Sequence, residues 1–195
     1  MNDLEARVQL VWDRQEIERV LRTYCRAIDR LDLELLKSVY HSDATDAHGS
    51  FDGNAHEFAE YIMGRLPAVT SYGFHTITNS IIDVDGDRAV AETSYFGYHR
   101  VHPGYDSISS YFGERYAKDA DAAGTLDREH EYICGGRYLD RFERREGVWR
   151  IARRRITLEW SQCRVTSHVL EGSRADYDLP GARDRSDPVY ELTLD

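Results

Sequence analysis

The hydrophobic pattern of this chain changes its period once, and that change constrains the fold more than any other feature. Between residues 4 and 66 apolar side chains recur at helical spacing, whereas from Ser71 to Glu159 they alternate with polar ones. A chain that places helices first and long antiparallel strands afterwards builds an α+β domain rather than alternating β-α-β units. The expected fold class is therefore α+β.

The helical part contains residues that are typical of helix starts and ends. Asp32 is a suitable N-cap for a short helix, and Pro67 is expected to end the last helix. The expected elements are one or two amphipathic helices over residues 4–30, a short helix over 32–40, an extended piece over 43–53 closed by a turn at Asp52-Gly53, and a helix over 54–66.

Two long hairpins are predicted next, over residues 71–101 and 131–159, with turns at Asp85-Gly86 and Glu146-Gly147. The pair Gly135-Gly136 inside a strand indicates a bulge or a bend. Strand alternation would place His75, Ile77 and Asn79 on one face of the sheet.

Two segments lie outside this plan. Residues 103–130 are too long for a tight connection, so they form a lid or an inserted helix near 107–123. Residues 163–195 show no periodicity, and they wrap a neighbour, cover a pocket or are partly disordered. The expected organisation is a single domain over residues 1–162, with an insertion at about 103–130 and a C-terminal extension over 163–195.

Composition excludes several classes of protein. The chain has 25 Lys and Arg against 35 Asp and Glu, a net charge of −10, which disfavours nucleic acid as a partner. No apolar run suggests a membrane span or a signal peptide. The three cysteines, Cys25, Cys134 and Cys163, are widely spaced and suggest neither disulfides nor zinc, so we expect a cytoplasmic protein.

Polar aromatic side chains are abundant, with 13 Tyr and 8 His. If they are buried, they line a pocket, because Tyr and His need hydrogen-bond partners inside a protein. His75 lies on a predicted strand, and an imidazole oriented by a carboxylate is the usual general base. Asp29 ends the first helix, where an acid is unfavourable for the helix dipole. Taken alone, each of these residues has an ordinary structural explanation.

Metal binding is not indicated, because His99 and His102 would point to opposite faces of a strand and no acidic or cysteine cluster accompanies them. The segment 137–155 carries eight Arg against three acids. On paired strands this pattern indicates an outer face of cross-strand charge pairs, from which a single Arg is free to point inward.

The succession of motifs resembles the SnoaL-like branch of the nuclear-transport-factor-2-like (NTF2-like) superfamily over about residues 10–162. The resemblance is carried by D-A-T-D-A-H-G at 43–49, F-D-G at 51–53, H-T-I-T-N at 75–79 and, most specifically, the block from Gly136 to Arg155 with Trp160 beyond it. It implies a cone-shaped fold in which a curved antiparallel sheet wraps a long helix around a deep cavity.

The resemblance also implies a set of site residues. Scytalone dehydratase, bile-acid 7α-dehydratase and hexachlorocyclohexane dehydrochlorinase in this superfamily are eliminating enzymes with an Asp-His dyad, whose positions match Asp29 and His75. Substrate-contacting positions of these enzymes match Tyr24, His48, His99 and Arg154, although His48 stands where the dehydratases have a Tyr. Tyr40, Tyr95 and Phe74 are further candidates for the cavity wall.

On this basis we expect a lyase without a cofactor or a metal, which acts on a small hydrophobic cyclic substrate by a dehydratase-type elimination. His75 would remove the proton, Asp29 would orient His75, and His99 could protonate the leaving hydroxyl. A polyketide cyclase or isomerase, and a non-catalytic binding protein or dioxygenase small subunit, remain open as alternatives. The resemblance implies a homotrimer or homodimer.

Overall fold

The computed structural model describes residues 2–193 and shows an α+β domain, as the change of period predicts. Six strands form one curved, unclosed sheet in the order β2-β1-β6-β5-β4-β3. The elements are α1 (Asp3–Asp29), α2 (Leu33–Ser38), β1 (Tyr40–His48), β2 (Phe51–Asn54), α3 (Ala55–Val69), β3 (Thr70–Asp85), β4 (Arg88–Val101), α4 (Tyr105–Phe112), α5 (Glu114–Ala122), β5 (His130–Arg145) and β6 (Val148–Val165).

Helix α1 is a single helix that lies in the concave face of the sheet. Its N-terminus carries a capping box formed by Asn2 and Glu5. One face, including Ile17, Leu21 and Tyr24, is buried in the core against residues of β4, β5 and β6. The buried carboxylate of Asp13 accepts hydrogen bonds from Trp149 at 2.9 Å and Arg144 at 2.7 Å, which ties this helix to the β5–β6 hairpin.

The end of α1 places an acid at the edge of the core. Leu31 has a φ of 50°, Asp32 N–H donates to Ala27 C=O at 2.9 Å and Leu31 N–H donates to Ile28 C=O at 3.3 Å. This is a Schellman termination with Leu where Gly is usual, and it leaves Asp29 as the last helical residue. Asp32 then caps α2 through Leu35 N–H, as predicted.

Three expected boundaries are wrong. Helix α3 passes through Pro67 to Val69, because a proline in the last turn removes only one backbone hydrogen bond and Thr70 N–H still reaches Leu66 C=O. The extended piece is a β1–β2 hairpin that turns at Gly49 and Ser50, not at Asp52-Gly53. The short second helix ends at Ser38, and Tyr40 begins β1.

The β5–β6 hairpin turns at Glu146-Gly147 as predicted, and both residues have positive φ. The β3–β4 hairpin turns at Gly86-Asp87, one residue after the predicted Asp85-Gly86. The register shifts between Gly135 and Gly136, which confirms the bulge there. A second shift between Ile77 and Ser80 breaks the alternation in β3, so Asn79 is exposed and does not share a face with His75. The sheet also contains one parallel pair, β1 with β6.

The two segments outside the plan pack on different elements. The insertion forms two helices, α4 and α5, separated at Gly113, whose φ is 92°. The C-terminal tail leaves β6 at Val165 and contains two short 3₁₀ turns, Gly172–Asp176 and Pro188–Tyr190. Its second half packs against α1 and α2 through an ion pair of Arg30 with Asp187 at 3.1 Å and a hydrogen bond from Tyr190 to Asp32 at 2.8 Å.

Candidate active site

Asp29 and His75 lie in contact at the junction of α1 and β3. The Nδ1 of His75 is 2.7 Å from Oδ1 of Asp29, and the backbone N–H of His75 donates to Oδ2 at 3.0 Å. Their side chains are 8% and 13% exposed, respectively. Because one carboxylate holds both the ring and the backbone of His75, the imidazole carries its proton on Nδ1 and turns Nε2 toward the interior.

His99 lies next to His75 on the neighbouring strand β4. The Nε2 atoms of the two rings are 3.3 Å apart, and Nδ1 of His99 is hydrogen-bonded to the hydroxyl of Tyr111 on α4. Burial and the neighbouring His75 lower the pKa of His99 well below its ordinary value. His99 is therefore a neutral ring at physiological pH.

Glycines on the same face leave room for these rings. A Cβ on Gly97 would lie 3.1 Å from Sγ of Cys134 and 3.7 Å from Cδ2 of His75. A Cβ on Gly73 would lie 3.4 Å from both His99 and the guanidinium of Arg183. The series Thr93, Tyr95, Gly97 and His99 thus presents one inward face, as the alternation in β4 predicts.

Arg183 reaches this site from the C-terminal tail. Its Nη1 donates to the carbonyl and hydroxyl of Thr70 at 2.8 and 3.1 Å, and its Nε is buried without a hydrogen-bond partner among the described residues. Burial lowers the pKa of Arg183, and the charge of Asp29 opposes that shift. The tail therefore adds a cation beside the Asp29–His75 pair.

Arg154 lies in a second buried cluster. It makes a bidentate ion pair with Asp140, at 2.8 and 2.7 Å, and both side chains are 0% exposed. Its guanidinium carbon lies 4.1 Å from the ring centre of Tyr24 and 4.2 Å from that of Tyr138. Burial lowers the pKa of Arg154, but Asp140 more than compensates and raises it well above its usual range.

Asp46 and His48 lie beside this cluster on β1. Asp46 pairs with Arg154 across the β1–β6 ladder and accepts a hydrogen bond from Tyr40 at 2.6 Å. Burial raises the pKa of Asp46 to about 6. Burial, with Arg154 and His75 nearby, lowers the pKa of His48 to about 3.

Three polar atoms in this second cluster have no partner among residues 2–193: Oδ1 of Asp46, Nδ1 of His48 and Nη1 of Arg154. Oδ1 of Asp46 and Nδ1 of His48 are 3.9 Å apart. The Nδ1 atom of His48 is buried although 36% of the side chain is exposed, and the ring stacks on Phe58 at 4.8 Å. A buried polar atom without a partner is costly, so this corner is suited to an oxygen atom of a ligand or to a water.

The structure thus divides the six sequence-predicted site residues between two clusters. Asp29, His75 and His99 form one, and Tyr24, His48 and Arg154 belong to the other. Phe74 is not a wall residue, because it follows Gly73 on the opposite face of β3 and is exposed. Arg183 of the tail approaches this pair, and Tyr111 of α4 contacts His99 beside it.

Five residues that the sequence analysis did not single out complete these clusters, namely Asp46, Tyr138, Asp140, Tyr111 and Arg183. Asp46 lies two positions before His48 on one strand, and Asp140 is the cross-strand partner of Arg154. Because side chains alternate between the faces of a strand, both acids could have been predicted to lie on the same face as these residues. Tyr111 lies in the insertion and Arg183 in the tail, and no periodic pattern in these segments predicted their positions.

A curved, unclosed sheet with a long helix packed against it is the architecture expected of the SnoaL-like branch of the NTF2-like superfamily. The chain belongs to the SnoaL-like domain family, whose pattern matches residues 9–155. No curated protein matches the sequence.

Solved structures share this fold. A type 2 hexachlorocyclohexane dehydrochlorinase is 14% identical with a TM-score of 0.65, and the match covers 85% of this chain and 98% of that one. A type 3 dehydrochlorinase from Novosphingobium barchaimii LL02 is 14% identical with a TM-score of 0.64, covering 85% and 99%. A candidate scytalone dehydratase from Novosphingobium aromaticivorans is 17% identical with a TM-score of 0.58, covering 78% and 87%.

These similarities, all at identities below 25%, show the fold. No helix within residues 2–193 is both long and apolar enough to cross a membrane.

Proposed function

We propose that this protein is a cofactor-independent lyase that eliminates water from a small, cyclic, largely hydrophobic substrate. The observation that carries the proposal is the double contact of Asp29 with His75, at 2.7 and 3.0 Å, in a buried setting. A carboxylate held against Nδ1 leaves Nε2 as the basic atom and stabilises the imidazolium that forms when the base takes a proton.

The elimination needs one proton acceptor and one proton donor. Nε2 of His75 takes the proton next to an activating carbonyl, and the electron pair of that C–H bond becomes the new C=C bond as the C–O bond breaks. The imidazolium of His75 then gives its proton to the departing oxygen, which leaves as water. His99 is neutral, so it assists as a hydrogen-bond donor and does not supply that proton.

The second cluster supports an oxygen-bearing substrate. Nη1 of Arg154 can donate to a substrate oxygen, and Oδ1 of Asp46 can accept from a substrate hydroxyl, since neither atom has a partner in the described chain. The rings of Tyr24 and Tyr138 hold the guanidinium in a fixed position, so its donor is preorganised.

Proton abstraction can be tested before the natural substrate is identified. Purified protein is incubated in D₂O with cyclic ketones, and α-deuteration is followed by NMR. Cyclic β-hydroxy ketones are then assayed for the absorbance of the enone product. We expect His75→Gln and Asp29→Asn to lower both rates by about 10²–10⁴-fold, the usual contribution of a general base.

The matched control is His102→Gln, which changes a half-buried imidazole outside both clusters, hydrogen-bonded to the carbonyl of Pro67. Equal rates in the wild type and in His75→Gln, with every ketone of the panel, would contradict the proposal. Rearranged or ring-closed products without loss of water would assign the same base to an isomerase or cyclase.

One observation favours a second candidate, a small-molecule-binding protein without turnover. Nε2 of His75 already lies 3.3 Å from Nε2 of His99, and the tail covers the pair. Binding of the same ketones without exchange or elimination would support this candidate.

The assembly and the location are also proposals. We propose a homo-oligomer, as the family resemblance implies, because apolar side chains on the outer face of the sheet, among them Ile81, Val90 and Trp160, are exposed. A cytoplasmic location rests on the cysteine spacing alone.

A further inference from the structure

The insertion contributes one side chain to the Asp29–His75 site. The hydroxyl of Tyr111, from α4, is hydrogen-bonded to Nδ1 of His99, and its ring packs edge-on against His99 and Tyr132 at 5.9 and 5.5 Å. Helix α4 is held in place by a hydrogen bond from Arg65 to Ser110 C=O at 3.2 Å. Four groups therefore form one chain of hydrogen bonds, Asp29 to His75 to His99 to Tyr111.

The donors and acceptors of this chain can be assigned from its ends. A carboxylate only accepts, so His75 carries its proton on Nδ1 and its Nε2 is an acceptor. The contact between the two Nε2 atoms then requires an N–H on His99. The remaining nitrogen of neutral His99, Nδ1, must accept, and the hydroxyl of Tyr111 is the donor that it meets.

We propose that Tyr111 is a positioning residue of this site, which fixes His99 in the tautomer that donates its Nε2–H to Nε2 of His75. This inference rests on the proposed function for its catalytic meaning. With His99 held as a donor, the imidazolium form of His75 is disfavoured in the resting site, because two N–H groups would then face each other.

Without the Tyr111 hydroxyl, His99 can adopt the other tautomer. Its Nε2 then accepts a hydrogen bond from protonated His75, so protonation of the base becomes easier. The chain thus links the inserted helix to the protonation state of the base, and it does so without contact between Tyr111 and the substrate.

Other charged or titratable groups around the two histidines must be considered in any pH effect. Asp29 faces His75 from α1, and Arg183 approaches His99 from the tail. The further groups are His48 from β1, Cys134 from β5 and Cys25 from α1, the last beside Asp29. None of them is altered by a change of Tyr111 to Phe, which removes a hydroxyl and keeps the ring.

A second tyrosine in the same insertion provides a matched control. Tyr116 of α5 makes an equivalent hydrogen bond to Nδ1 of His130, at 2.9 Å, away from the Asp29–His75 pair. Tyr111→Phe and Tyr116→Phe therefore remove the same chemical group from the same kind of contact. Only Tyr111 belongs to the chain of hydrogen bonds that includes Asp29 and His75.

The test is ¹⁵N NMR of the imidazole rings, in which the two tautomers of His99 give distinct shifts. We expect the Nε2–H tautomer to account for nearly all of His99 in the wild type and in Tyr116→Phe, and to fall to a mixture in Tyr111→Phe. In the deuterium-exchange assay, the acid limb of the rate profile of Tyr111→Phe should shift to higher pH by about 0.5–1 unit, the equivalent of one hydrogen bond.

An Nδ1–H tautomer of His99 in the wild type, or equal tautomer ratios in the wild type and in Tyr111→Phe, would overturn the inference. The NMR result does not depend on turnover. An inactive protein with the expected tautomers refutes the proposed function alone, whereas an active one with the wrong tautomer refutes only the role of Tyr111.

Discussion

At the scale of single residues, the neutral His99 makes stability depend on pH. Burial lowers the pKa of His99 well below its ordinary value, so in the window below about 6.5 only the unfolded chain binds a proton at this ring. A group whose pKa is lower in the folded state than in the unfolded state stabilises the fold at pH values above its unfolded-state pKa. This stabilisation is lost as the pH falls below that pKa. The folded state therefore becomes less stable as the solution is acidified.

We expect this ring to account for about 0.8 kcal/mol of lost unfolding free energy between pH 8 and pH 6. His99→Gln should lack that part of the pH dependence, although it is less stable overall. Urea unfolding of both proteins at pH 6, 7 and 8 measures the difference, with His102→Gln, outside both clusters, as the control. Parallel pH profiles for wild type and His99→Gln would show that His99 is not held neutral.

At the scale of elements, the bulge in β5 fixes how the sheet bends, and its two glycines are not equivalent. A Cβ on Gly136 would lie 1.9 Å from the carbonyl oxygen of Thr157, a backbone atom. A Cβ on Gly135 would lie 2.6 Å from the Trp160 ring, a partly exposed side chain that can rotate. The bulge thus requires glycine at one position and only prefers it at the other.

Gly136→Ala should therefore cost more than about 3 kcal/mol or prevent folding, because the strand must shift to relieve the contact. Gly135→Ala should cost less, since Trp160 can move. Thermal unfolding and soluble yield distinguish the two variants, and similar losses for both would mean that the bend does not depend on Gly136.

The tail is the other element whose docking can be tested. The carboxylate of Asp187 is buried, pairs with Arg30 at 3.1 Å and accepts from the N–H groups of Ala182 and Val189 at 2.8 and 3.0 Å. Asp187→Ala leaves these donors without a partner, which costs about 1–3 kcal/mol. Trypsin should then cleave after Arg185 about tenfold faster.

Asp184→Ala is the matched control, because Asp184 is exposed and hydrogen-bonds only within the tail, to Ser186. Equal cleavage rates in the two variants would show that Asp187 does not hold the tail over the site.

At the scale of the whole molecule, the net charge of −10 and the exposed apolar outer face favour different states. Charge repulsion favours separate chains, and burial of Ile81, Val90 and Trp160 favours association. Light scattering at micromolar concentration should report a mass of two or three chains, and Ile81→Lys should reduce it. A monomeric wild type would refute the proposed oligomer.

The sequence by itself determined the α+β class, because side-chain periodicity is a local consequence of helix and strand geometry. The turn at residues 146–147, the turn at 86–87 to within one residue, the bulge at Gly135-Gly136 and the family membership follow from the same local signals. The resemblance also indicated Asp29 and His75, which the fold then places 2.7 Å apart.

Only the tertiary structure decided what surrounds that pair. Arg154 became a buried ion-pair partner of Asp140, and a bulge in β3 moved Asn79 away from His75. Tyr111 and Arg183 reach the site from segments without any period, since their positions depend on how the insertion and tail pack on α1 and the sheet. Local pattern carries no information about contacts between residues distant in the chain, and this site is built from such contacts.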